Sequence, residues 1–150
     1  MKLAEALTQR KSIKETAEIL TRRAQEDILV EKGDMPAEDV ASILNQIDTT
    51  LESFIELSYK INRANLENKL EDKPLYYWIL KRDALILKHA LYQRILDETS
   101  RRDSWGGGKS ERKIVSTYSI KALRKKIDHI AKQVREIDAK IQYKNWQIEI

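Results

Sequence analysis

Between Leu75 and Leu96 the chain places fifteen apolar residues in 22 positions, and this density constrains the fold more than any other stretch. They fall in clumps about one helical turn apart: Leu75 to Leu80, Ala84 to Leu87, Ala90 to Tyr92, and Ile95-Leu96. That is helical spacing. The clumps are wider than the stripe of an ordinary surface helix, so a single neighbour cannot cover them. Lys81-Arg82-Asp83 interrupts them, and no run reaches the ~18 apolar residues of a membrane span. Pro74 to Ser100 therefore reads as the central helix of a bundle. Its own chain covers one side and a second copy another, with Trp78, Leu85, Leu87 and Tyr92 as the expected oligomer interface.

The rest of the chain must supply that bundle. Its 150 residues suit one domain spanning 1–150. Charged residues make up 35%, with four Gly and two Pro, a profile of long helices and few turns. With no Cys, disulfides and thiolate metal sites are excluded. The opening MKLAEALTQRKSIKE lacks the apolar core of a secretory signal, so the expected location is the cytoplasm.

The first helix is expected over about 3–30. Ala6, Ile13 and Leu20 repeat every seven residues, as do Leu3, Arg10, Ala17 and Ala24. Arg10 fits that seam as a charged stem lying along the surface with its head in water. Gly33 reads as a C-terminal cap and Pro36 as the first turn of a second helix, giving an antiparallel hairpin. That second helix is expected over about 36–70. Val40, Ile47, Phe54 and Ile61 form one column, Leu44 and Leu51 lie beside it, and Ile43 and Leu57 flank it. Ser58, Asn65 and Asn68 make its end polar. They are either register-fixing residues in the seam or helix-end positions meeting water.

Pro74 opens the third helix, about 74–100, in which Arg82 and His89 share a column with Leu75 and Leu96. A guanidinium there needs a carboxylate from a neighbouring helix or a place at the rim. His89 reads as a hydrogen-bonded core residue. The fourth helix, about 119–145 with Ser119 as N-cap, has the cleanest seam: Leu123, Ile127, Ile130, Val134, Ile137 and Ile141 alternate spacings of four and three. His129 falls outside it. The fold class is thus all-α, four long helices as antiparallel hairpins in a coiled-coil bundle.

The connection 101–118 has no helical period. Gly106-Gly107-Gly108 is a turn signal, and Lys113 to Tyr118 suits an extended segment, so a small β-hairpin and an irregular excursion both stand. Positive charge gathers here. From Arg101 to Lys126 nine basic residues face two acidic ones, while the remaining residues are 19 basic against 22 acidic. Arg101, Arg102, Trp105, Lys109, Arg112, Lys113, Lys121, Arg124 and Lys125 are therefore the candidate site for an anion or partner, such as a nucleic acid or an anionic lipid.

Catalytic patterns are absent from the sequence. Gly108-Lys109-Ser110 is preceded by Asp103 where a phosphate-binding loop has its first glycine. Ile86 and Lys126 stand three residues before His89 and His129, where a helical carboxylate–histidine metal site needs Glu. No catalytic residue, metal ligand or cofactor is expected.

Several short segments carry a resemblance. They are Met1 to Leu7, Ile61-Asn62-Arg63-Ala64-Asn65, Lys81-Arg82-Asp83-Ala84-Leu85, Ile120 to Lys125, and Ile141-Gln142-Tyr143-Lys144-Asn145-Trp146. In this order they resemble a small bacterial family labelled septicolysin-like. The resemblance implies an all-helical protein of similar length with a membrane-active, pore-forming role, and it brings no catalytic residues. The primary expectation remains a non-enzymatic, self-associating helical bundle. The membrane-active role and polyanion binding through the basic loop are the alternatives.

Overall fold

The computed structural model describes residues 1–103 and 114–150, without the side chains of Arg102 and Asp103. The described chain is all-α, with helices α1 (Leu3–Asp27), α2 (Val40–Glu67), α3 (Leu75–Asp103) and α4 (Ile120–Gln147). The expected excursion before the last helix is seen over 114–119, which form neither helix nor strand. Gly106 to Gly108, the expected tip of a β-hairpin in that connection, lie outside the described residues. Among the described residues one two-stranded sheet is formed, earlier in the chain, where β1 (Lys69–Leu70) pairs with β2 (Lys73–Pro74). The chain divides into two compact units, one of Met1–Lys69 with Tyr143–Ile150 and one of Leu70–Gln142.

In the first unit α1 and α2 form the expected antiparallel hairpin. Lys14 Nζ lies 5.1 Å from the centre of the Phe54 ring, and Asp27 and Arg23 reach Ala37 and Glu38 at the turn. Leu3, Ala6 and Leu20 are buried on α1, and Arg10 is half-buried in the same seam. On α2 the inner line is Val40, Ile43, Ile47, Thr50, Phe54, Leu57, Ile61 and Ala64, alternating three and four. Ile43 and Leu57, read as flanks, are inside. Leu44 and Leu51, expected beside the column, are exposed and line up with Ile55, Tyr59 and Leu66 along an outer stripe. The last residues of the chain complete this unit. Ile148 O accepts from Leu3 N–H, and Ile150 N–H donates to Met1 O, each at 2.9 Å. Ile148 and Asn145 are buried.

The helix ends shift from their expected places for local reasons. α1 stops at Asp27 because its carboxylate accepts from the Ala37 and Glu38 amides at 2.9 and 3.1 Å, turning the chain there. Gly33, five residues past the cap Ile28, serves the loop with a left-handed φ of 101° instead of capping the helix. α2 begins after Asp39, not at Pro36, since Asp39 accepts from both Ala41 and Ser42 N–H at 3.2 Å. Ser119 caps α4 as expected, its Oγ accepting from Ala122 N–H at 3.1 Å.

The turn of the hairpin carries a pH dependence. Arg23 grips Glu38 with two nitrogens. That hydrogen bond holds the Glu38 carboxyl below its ordinary value of 4.5; burial opposes it, and the guanidinium charge adds to the lowering. Glu149 is held low in the same way by Lys2 and by the terminal ammonium. A depressed carboxyl stabilises the fold fully above its unfolded value and loses that contribution as pH falls through the folded one. Urea midpoints should therefore drop as pH falls below about 4.5, and Glu38→Gln should flatten that acid limb while lowering the midpoint at neutral pH. An unchanged acid limb in Glu38→Gln would show that the Arg23 pair contributes nothing.

Candidate self-association face

α3 carries two apolar faces. The inner one follows Leu75, Trp78, Arg82, Leu85, His89, Tyr92 and Leu96, spaced three and four in alternation, and every member is buried or half-buried. α4 runs back along this face within the second unit. Arg82 Nη1 donates to Asp138 Oδ1 at 3.1 Å, and Lys140 Nζ lies 5.9 Å from the Trp78 ring centre. Along α4 the seam of Leu123, Ile127, Ile130, Ile137 and Ile141 is buried, with Val134 half-buried.

Trp78 is tied into this unit. Its indole N–H donates to Leu70 O at 2.7 Å, and Lys81 stands 4.9 Å from its ring centre. Arg82 meets the requirement for a carboxylate twice over, with Asp138 from α4 and Asp83 from its own helix. Burial works against the guanidinium charge, but the hydrogen bonds and charges of the two aspartates outweigh it and leave its pKa raised.

The outer face is different. Tyr76, Leu80, Ala84, Leu87, Leu91 and Ile95 recur every three or four residues, with Tyr77 beside them, and all are exposed. Leu87 is 59% exposed and Ile95 58%. At ~1.5 Å per residue the line is about 28 Å long. It lies roughly opposite the inner seam at ~100° per residue, so α4, packed on that seam, leaves it exposed. Towards the C-terminal end of α3 the line runs into a groove of about 1200 Å³, lined by Leu91, Ile95, Ile114, Val115, Tyr118 and Ile120 among others.

A family model described as a family of unknown function, DUF6847, matches residues 3–150. The chain belongs to this family. It is similar to a crystal structure described as that of a functionally unknown conserved protein from Corynebacterium diphtheriae. The two are 36% identical with a TM-score of 0.91, over 100% of this chain and 98% of the other. No curated protein matches the chain. The two-faced α3 is therefore a feature of a DUF6847 chain.

The expected interface residues divide between the two faces. Leu87 lies on the outer one. Trp78, Leu85 and Tyr92 belong to the inner seam, where Trp78 is only 9% exposed within its own chain and Leu85 and Tyr92 are half-buried. Tyr76, Tyr77, Leu80, Leu91 and Ile95 share the outer face with Leu87, and the sequence holds a signal for them. Once Arg82 and His89 mark the seam of Leu75 and Leu96, Tyr76, Leu80, Ala84, Leu87, Leu91 and Ile95 fall roughly opposite it at ~100° per residue.

The basic residues are less gathered. Arg101 is exposed on the last turn of α3, 4.0 Å from Glu98. Arg102 lies beside it on the backbone of α3. Lys121, Arg124 and Lys125 are exposed on the first turns of α4. Trp105, Lys109, Arg112 and Lys113 lie outside the described residues. Among the described residues, no group of three or more His, Asp or Glu is placed to hold a metal ion. No helix among them is long and apolar enough to cross a membrane.

Proposed function

We propose that this DUF6847 protein acts by association, not catalysis, and that it self-associates through the outer face of α3. The uncovered apolar line from Tyr76 to Ile95 carries this reading. Isolated exposed apolar residues need no explanation, but a continuous stripe along a whole helix is the mark of an interaction surface. A second copy is the simplest occupant, because most soluble oligomers are built from identical chains.

Sedimentation velocity over a concentration series tests it. A species larger than the 17.6 kDa chain should dominate at tens of micromolar. A single monomeric boundary throughout would remove the proposal.

A further inference from the structure

We propose that two copies pair antiparallel along α3 about a two-fold axis near Leu87, with the aromatic start of each helix seated in the groove of the other. This deepens the self-association reading and rests on it. The outer face is not uniform along its length. Its N-terminal end presents two projecting rings, Tyr76 and Tyr77, each 45% exposed. Its C-terminal end is concave, where Leu91 and Ile95 meet Ile114, Val115 and Tyr118. Parallel pairing would set ring against ring and groove against groove. Antiparallel pairing sets each pair of rings into a groove, twice, as an isologous contact requires.

Charge points to the same arrangement. Asp83 and Arg94 are both exposed, and at ~100° per residue they fall within about 20° of one another on one edge of the apolar line. A two-fold axis lying in the contact plane and crossing the helices reverses their direction but keeps each edge opposite itself. Asp83 of one copy then faces Arg94 of the other, at both ends of the contact. Arg94 has no ion pair among the described residues, and Asp83 bonds Arg82 through Oδ1 only. At the centre, Ala84 lies beside Leu87 and lets the helices come close.

The charge swap tests the pairing. Arg94→Glu places like charges at both ends and should weaken association about tenfold, and Asp83→Lys should do the same. An equimolar mixture of the two variants should recover wild-type affinity as a mixed dimer, because both of its contacts are again opposite in sign. The absence of cysteine supplies a second readout that does not depend on Asp83. Leu87→Cys should cross-link to its own copy on oxidation, whereas Tyr76→Cys should not. Ready self-linking by Tyr76→Cys, or wild-type association in Arg94→Glu with no gain on mixing, overturns the antiparallel pairing while leaving self-association standing. A wild-type chain that is monomeric at every concentration removes both.

Discussion

Leu87→Glu should leave the chain helical and make it monomeric. Leu87 is 59% exposed within a single chain, and glutamate is as good a helix former as leucine. The folded monomer therefore loses little. In the proposed pairing, however, Leu87 is at the centre of the contact, where two carboxylates would be stripped of water beside each other. Burying an uncompensated charge costs several kcal/mol, so the dissociation constant should rise by about a hundredfold or more. Sedimentation would read the loss, and unchanged far-ultraviolet circular dichroism would show that folding is intact. Ile55→Glu, on the outer stripe of α2, is the matched control at 63% exposure. Association that survives Leu87→Glu and fails in Ile55→Glu would move the contact from α3 to α2.

The second large effect concerns the first unit. Ile61 is 1% exposed on the inner line of α2. Removing three carbons there leaves a cavity, and Ile61→Ala should cost about 2–5 kcal/mol in chemical denaturation. Leu44→Ala, at 52% exposure on the outer stripe, should cost under about 0.5 kcal/mol. The contrast measures which column faces α1. Similar losses for the two would mean that the inner line has been drawn one residue out of place.

That one-residue question shows where the amino-acid order is informative. On α4 every seam position is apolar and its flanks are polar, so a single solution exists, and Leu123 through Ile141 are inside. On α2 the adjacent pairs Ile43-Leu44 and Thr50-Leu51 make the seam and its outer neighbour almost equally greasy. Hydrophobicity cannot choose between them; packing against α1 does. The polar end of α2 resolves residue by residue. Asn65 is buried, which fits a seam residue, whereas Asn68 ends the helix, with its side-chain amide on Ala64 O at 2.9 Å. Ser58 is half-buried, and its hydroxyl finds no hydrogen-bond partner among the described residues.

The candidate site was legible only in outline. That α3 has more apolar surface than one neighbour can cover follows from composition and spacing. Which residues face which way does not follow from apolar spacing alone, because both sides satisfy a helical period. Arg82 was the better guide, since its need for a carboxylate could be stated in advance and Asp138 supplies one. The basic candidates were chosen by charge density, which places residues along a chain but not in space. Arg101 and the Lys121, Arg124 and Lys125 group stand on different helices.

A rod that is oily front and back has no preferred rotational phase as far as water is concerned. Spun half a turn about its long axis, α3 would offer α4 a surface of comparable grease. The guanidinium at position 82 breaks that degeneracy: in one phase it finds an aspartate across the gap, and in the other that aspartate loses its counter-ion. That cation and the indole of Trp78, held on Leu70 O, together index the rod, and the side left available to another molecule follows from these polar contacts.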